Sequence, residues 1–403
     1  MIATETIDGV AARRVIEPAS AEELAATLAS ASDARTSVVI RGGGTKMGWG
    51  RTPSSVDVLL STKRLNALVA HEHADLTATV QAGARIDEVN RALARHGQWL
   101  PIESAFDEAT IGGAIATNDS GPLRHRYGTP RDLVIGIRLA LTDGRLIKAG
   151  GNVVKNVAGY DLGKLVSGSF GSLAATVSAT FKLSPLPGAS STLVARFDDA
   201  ASVVKALEAI SASQLESSTC ELRTFGSRIP DPGSRYRLLL KFESTPGALD
   251  AHVQTARELA GNAACEVVSA ATERDLWREH TRAVWASSGM IVKAAWLPAS
   301  LGAVLAFIDD LRGNGADAEL IGRAAVGSGL LRVDADARMQ RNIVERLRSR
   351  SGLFRHVVVL RADAQLKQQL DVWGPLGDAG SLGASLKHVL DPQGILNAGR
   401  GPV

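Results

Sequence analysis

The chain has 403 residues, 45% of them hydrophobic and 22% charged, and a formal net charge of +3. That length can bury a large core and predicts two or three domains, while so small a charge, with no interleaving of basic and aromatic residues, sets nucleic acid aside. Cys220 and Cys265 are the only cysteines, too few for an iron–sulfur cluster, a structural zinc site or a disulfide framework.

The first fourteen residues lack the apolar stretch of a secretory signal, and no apolar run reaches the roughly 18 residues of a membrane span. Next, Ser20 and Glu23 form a capping box, and Leu24, Leu28 and Ala31 recur at helical spacing, so 18–33 predicts an amphipathic helix. The β-branched run 37–40 predicts a strand that stops at a glycine-rich segment, 41–50. Residues 56–60 and 76–81 predict further strands. A helix follows at 86–96, with Ile86, Val89 and Leu93 on one face and Gly97 as its stop. The Asp143-Gly144 pair predicts a hairpin between 134–141 and 145–149, and 175–183 reads as a strand closed by Pro-Leu-Pro. After Pro187 strands (193–197, 218–224, 238–242, 267–269, 290–296, 357–360) alternate with helices (199–213, 247–260, 298–312, 336–350). An antiparallel α+β layer and its parallel relative both fit this alternation. The tail has a helix and then a Pro/Gly-rich end.

Many of the 40 glycines cluster before residue 175, which directs attention to three loops. Segment 41–50 holds Gly42, Gly43, Gly44, Gly48 and Gly50. Consecutive residues without Cβ atoms can take positive φ, and their amides can converge on an anion such as pyrophosphate. Thr45 and Lys46 add a hydroxyl and a cation. A Walker A loop is excluded because Trp49 follows Gly48, and a Rossmann fingerprint because Met47 stands where its last glycine belongs. A plain glycine-rich turn between strands fits this loop as well. In the second loop, Thr110, Gly112 and Gly113 lead into Ala114, Ala116, Asn118, Ser120 and Gly121, small residues against which a flat ligand could lie. The third is 168–173, before the 175–183 strand. Three such segments in order are hard to explain as turns alone.

RGGGTKMGWG (41–50), ATIGGAIATNDSGPLRHRYGTPRDLVIG (109–136), DGRLIKAGGNVVKNVAGYDLGKLVSGSFG (143–171) and LDPQGILNAGRG (390–401) carry a resemblance. Residues 36–187 resemble the FAD-binding domain of the vanillyl-alcohol oxidase / p-cresol methylhydroxylase (PCMH) superfamily, and the four motifs together are similar to FAD-binding subunits of bacterial glycolate oxidases. The resemblance implies an α+β architecture: a two-subdomain PCMH-type FAD-binding domain over 1–187, an α+β cap-like domain over 188–370, and a C-terminal segment, 371–403, packing back toward the FAD domain. It implies that Arg41, Gly42, Gly43, Gly44, Thr45, Lys46 and Gly48 hold the pyrophosphate. Thr110, Gly112, Gly113, Asn118 and Ser120 would run along the adenosine and flavin, and Gly171, Leu173 and Val177 would approach through backbone contacts. Covalent members carry a histidine in the first loop; here Thr45 follows the glycines and 41–50 has no histidine, so non-covalent FAD is expected.

Catalytic flavin subunits of this superfamily carry a histidine-rich, metal-binding motif in the substrate domain. The corresponding segment here, GRAAVGSGLLRV (322–333), has Val326 and Leu331 and no histidine, so no metal is expected and the catalytic base is unknown. The resemblance therefore implies an FAD-binding subunit of a glycolate oxidase-like complex, oxidising a 2-hydroxy acid (glycolate to glyoxylate) with a catalytic FAD subunit and an iron–sulfur subunit. Such a chain would be cytoplasmic, at most peripheral to the inner membrane through its partners. A stand-alone FAD oxidoreductase, with Tyr160 or His125 as base, and a non-catalytic scaffold remain alternatives. His125, between Arg124 and Arg126, reads as a carboxylate binder or as part of a solvated basic loop. Lys155, Asn156, Tyr160 and Asp161 read as flavin or partner contacts, or as structural hydrogen bonders. Asp391 reads as a turn former beside His388. The remaining histidines look isolated, and in His71-Glu72-His73 neighbouring side chains point apart.

Overall fold

The computed structural model describes residues 5–152, 159–226 and 234–402. The chain forms two compact units, one of 1–121, 128–186 and 375–403, the other of 122–127 and 187–374.

The first unit opens with β1 (Thr6–Ile7), β2 (Val10–Ile16), α1 (Ala21–Asp33), β3 (Val38–Arg41) and β4 (Val56–Ser61), whose strands form a sheet in the order β1-β2-β4-β3. Both β2 and β3 run parallel to β4. Ser20 caps α1 by accepting from the Glu23 amide at 3.1 Å, and Leu24, Leu28 and Ala31 are buried, as the periodicity predicts. A second sheet contains β5 (Leu68–Glu72), β6 (Thr77–Gln81), β8 (Val134–Ala140), β9 (Leu146–Gly150) and β10 (Ala175–Lys182), in the order β5-β6-β10-β8-β9. Between them in sequence come α2 (Ile86–Leu93), β7 (Gln98–Trp99), α3 (Ile111–Thr117), α4 (Arg124–Tyr127, in the second unit), α5 (Pro130–Leu133) and α6 (Leu162–Val166). Gly97 stops α2 and its following turn with φ +65°, and the 142–144 turn joins β8 to β9 as an antiparallel hairpin. The two-residue β11 (Ser184–Pro185) pairs with β7. One core lies between the sheets, where α1 residues meet Val58 and Leu60 of the first sheet and Ala140, Ala175 and Val177 of the second.

In the second unit β12 (Ala189–Phe197), α7 (Ala200–Ala212), β13 (Thr219–Thr224), β14 (Tyr236–Ser244), α8 (Pro246–Leu259), β15 (Ala264–Ser269) and α9 (Ala270–Ala286) come first. They are followed by β16 (Met290–Ala295), α10 (Leu301–Gly313), β17 (Asp317–Arg323), β18 (Ser328–Asp334), α11 (Ala337–Ser349), β19 (Arg355–Arg361) and α12 (Ala364–Gln369). Their strands form one eight-stranded sheet, β15-β12-β14-β13-β17-β18-β16-β19, in which every pairing is antiparallel. Of the two layers the alternation allowed, the antiparallel one is present. Segment 322–333 is the tip of the β17–β18 hairpin, with Leu331 buried in β18.

Finally α13 (Asp378–Leu390) and the tail belong to the first unit. The Val38 amide donates to Ile395 O and the Asn397 amide to Val38 O, extending β3 by a parallel bridge to Leu396. Buried Asp391 turns the chain here, accepting from the amides of Ile395 and Leu396 and from Lys387 Nζ. Among the described residues no helix is long and apolar enough to cross a membrane.

Candidate functional site

Two adjoining clefts lie in the first unit where β3, α3, the 168–174 loop and the tail meet. Ile40, Gly42, Gly113, Ala116, Phe170 and Asn397 line both. One cleft, with about 460 Å³ of open space, continues along small and apolar residues: Ala82, Gly112, Val166, Gly171 and Ala174. The other, about 490 Å³, continues along Gly43, Gly44, Thr45, Lys46 and Thr110, with Arg400 on its wall.

Local chemistry explains both shapes. β3 ends at Arg41 because three glycines follow, and the amides of Gly43, Gly44 and Thr45 find no acceptor among the described residues. Only Gly44 of the three glycines has positive φ, at +78°. Gly42 and Gly43 are needed for another reason: a Cβ on Gly42 would meet Thr110 Oγ1 at 2.1 Å, and one on Gly43 would meet Glu108 O at 1.7 Å. The first loop is thus seated directly on the backbone before α3. Thr110 caps α3, accepting from the Gly113 amide at 3.4 Å, while the Gly112 amide donates to Ala82 O at 2.7 Å. A Cβ on Gly112 would come within 2.8 Å of Ala82 Cβ, so α3 lies against the loop after β6. Gly171 combines φ +68° with a Cβ position 2.8 Å from Asn397 Nδ2.

The two cations assigned to the phosphate by resemblance already have partners. Lys46 Nζ sits 3.0 Å from Asp119 Oδ2, over the rings of Trp49 and Phe106 at 5.7 and 5.5 Å. It clamps the first loop to the second. Arg41 pairs with Glu5 and, at 3.9 Å, with Glu17, and borders neither cleft. Beside Lys46, Arg400 also reaches the amide-lined cleft, buried and donating to the carbonyls of Met47 and Trp49. Desolvation lowers its pKa to about 10.

Of the residues expected from the sequence, Gly42, Gly43, Gly44, Thr45, Lys46, Thr110, Gly112, Gly113 and Gly171 line the clefts. Gly48, Asn118, Ser120, Leu173 and Val177 do not. Asn118 is the left-handed cap of α3, with Oδ1 accepting from the Arg131 amide, and Leu173 and Val177 lie in the core. The sequence reading named neither Asn397 nor Arg400, although the NAGRG motif was the available signal. Thr45 lines the amide cleft, and among the described residues no histidine or cysteine borders either one.

The other candidates are placed elsewhere. Tyr160 is 91% exposed and, with Asp161, borders a separate cavity of the first unit; Lys155 and Asn156 lie outside the described residues. His125 belongs to the second unit, half-buried, with Nε2 3.3 Å from Ser217 Oγ, and burial lowers its pKa. His71, His73 and His96, isolated in sequence, come together with ring centroids 5.0–6.1 Å apart, and His71 Nε2 meets Gln98 Oε1 at 2.8 Å. Among the described residues no group of three or more His, Cys, Asp or Glu side chains is arranged to hold a metal. The sheet of the second unit instead buries an ion-pair chain: Arg223 Nε–Glu319 at 2.6 Å, Arg332 Nε–Glu319 at 3.4 Å and Arg332–Asp317 at 2.8 Å. Glu221 lies between Arg323 and His280 at 3.3 and 3.2 Å.

The residues present fit a dinucleotide. Unclaimed amides and a hydroxyl suit a pyrophosphate, and the adjoining walls of glycine, alanine, valine and phenylalanine suit a flat ring. A sequence-family model described as an FAD binding domain matches residues 12–150, a span holding β3, the first loop and α3. The first unit carries an FAD-binding domain. Its relatives include glycolate oxidase subunit GlcD of Bacillus subtilis (strain 168), 35% identical over 51% of this chain and 44% of that protein. D-lactate dehydrogenase of Archaeoglobus fulgidus is 37% identical over 42% of this chain and 38% of its own length. Glycolate oxidase subunit GlcE of Escherichia coli (strain K12) is 36% identical over 40% and 45%. The matches thus span less than half the length of these relatives. Among solved structures, 4-ethylphenol oxidase from Gulosibacter chungangensis shares the fold with a TM-score of 0.75 at 15% identity, covering 98% of this chain and 90% of that one.

Proposed function

We propose that the chain is an FAD-dependent oxidoreductase subunit that takes part in oxidising the CH–OH group of a 2-hydroxy acid, glycolate first among them, within a glycolate oxidase-like complex. The observation that carries this is the pair of joined clefts, one lined by unclaimed amides and one by small apolar residues, on a domain whose relatives include both glycolate oxidase subunits. Bound FAD supplies the acceptor for the hydride of the alcohol carbon. The amides of Gly43, Gly44 and Thr45 hold the pyrophosphate, with Arg400 providing a fixed positive charge on the same wall. Gly112, Gly113 and Ala116 let the cofactor lie against backbone, and Val166 and Phe170 keep water from that wall. The cofactor is held non-covalently in this reading, supported by Thr45 following the glycines of the first loop where covalent members of the resembled superfamily carry a histidine. A base for the hydroxyl proton and a route for single electrons are the tasks left to a partner flavoprotein and a cysteine-rich iron–sulfur subunit.

Purified protein is expected to show flavin absorbance, with all flavin released on acid precipitation. Alone it is expected to oxidise glycolate or D-lactate weakly with an artificial dye, and to be required for turnover when co-expressed with both partners. Turnover by the isolated chain on the order of 1–1,000 per second would replace the subunit reading with a stand-alone oxidoreductase. A folded protein without flavin, indifferent to added FAD, would overturn both.

A further inference from the structure

Asn397 is 3% exposed and lines both clefts. Its Nδ2 donates to the carbonyl oxygen of Phe170. Because that carbonyl can only accept, the amide orientation is fixed: the oxygen is the end left over. Asn397 Oδ1 is buried and has no hydrogen-bond partner among the described residues. A buried amide oxygen without a donor is rare in folded proteins and calls for an explanation.

The surroundings make the side chain rigid. The Asn397 backbone holds φ +43°, and its amide is tied to Val38 O. Lys387 Nζ fastens the same tail, donating to Leu396 O at 2.9 Å and to Ser172 O at 2.7 Å. An acceptor this fixed cannot turn away to find solvent, so a ligand in the clefts has to bring the donor. Asn397 stands at their junction, between the amide-lined wall and the apolar wall. The part of a dinucleotide that joins a pyrophosphate to a flat ring is a sugar or sugar alcohol, and its hydroxyls donate.

We propose that Asn397 positions the cofactor, its Oδ1 accepting a hydrogen bond from a sugar or ribityl hydroxyl of FAD. This rests on the reading of the first unit as FAD-binding and adds the tail to that site. The ribityl chain and the adenosine ribose share this chemistry and are told apart by fragments.

Apo-protein is titrated with FAD, followed by quenching of flavin fluorescence, for the unaltered chain and for Asn397→Leu. The variant is expected to raise Kd at least tenfold while the apo-protein melts normally. If the ribityl chain is the donor, the variant also weakens competition by FMN and spares ADP; if the ribose is, the reverse holds. In the unaltered protein, with asparagine side-chain carbonyls labelled with ¹³C, one infrared carbonyl band is expected to move to lower frequency when FAD binds. An unchanged Kd in the folded variant, or no shifted band, would overturn the proposal while leaving FAD binding intact. Failure of the unaltered protein to bind FAD would overturn the underlying reading as well.

Discussion

At Gly43 a methyl group would have nowhere to go, because its position is taken by the backbone oxygen of Glu108. At Gly44 a methyl would meet only Arg41 Cδ, at 3.7 Å, but the backbone has φ +78°. The two glycines are therefore required for different reasons, one steric and one conformational. Gly44→Ala should cost about 1–2 kcal/mol of left-handed strain and leave the loop in place. Gly43→Ala has to lift the loop off the α3 approach, and with it the amides that face the phosphate. Melting of the apo-protein and FAD titration of both variants check this. A larger loss of FAD affinity in Gly44→Ala than in Gly43→Ala would reverse the assignment. Sequence alone shows the run of glycines and the chemistry it permits, but not which of them touches which backbone. Lys46 illustrates the same limit. Its charge beside the glycines is legible, whereas the Asp119 carboxylate that holds it lies 73 positions away and is brought near only by folding.

Elements whose buried faces are apolar were legible. The periodicities of 18–33 and 86–96, the 134–149 hairpin and the strand at 175–183 all correspond to elements in the structure. Two elements that bury charge, β17 and α9, were not read from the sequence, although β13, which buries Glu221 and Arg223, was. Every residue of β17, DAELIGR, is buried, and a strand with Asp317, Glu319 and Arg323 inside does not look like one from composition. Likewise α9 buries Glu273, Trp277, His280 and Val284, a helical stripe in which two members are polar. These side chains can be inside because they satisfy one another, Arg223 with Glu319 above all, at 4% and 1% side-chain exposure. Breaking a buried pair strands its partner's charge. Arg223→Met should then destabilise the second unit by about 3–5 kcal/mol, read as a lower urea midpoint with an unchanged slope. A loss under about 1 kcal/mol would mean that Glu319 is adequately held by Arg332 alone.

Across the whole molecule, the sequence of the second unit interrupts that of the first, which is completed only by 375–403. Asp391 anchors that completion, since its two oxygens hold the Ile395 and Leu396 amides and Lys387. Asp391→Ala removes acceptors from buried donors and should cost the first unit about 3 kcal/mol, the sum of several losses of about 1 kcal/mol each. The expected record is two melting transitions, one lowered and one unchanged, together with faster loss of FAD. A single transition shifted as a whole would show that the units unfold together. The bridge between Val38 and Leu396 also sets an order of events during synthesis. The glycine loop leaves the ribosome before Asn397 and Arg400, which follow only after all of 187–374 has been made. A nascent chain can present half a cofactor cleft throughout the synthesis of 187–374 and close it only once 397–400 follow, so termination before them yields a protein with the glycine loops and an open wall.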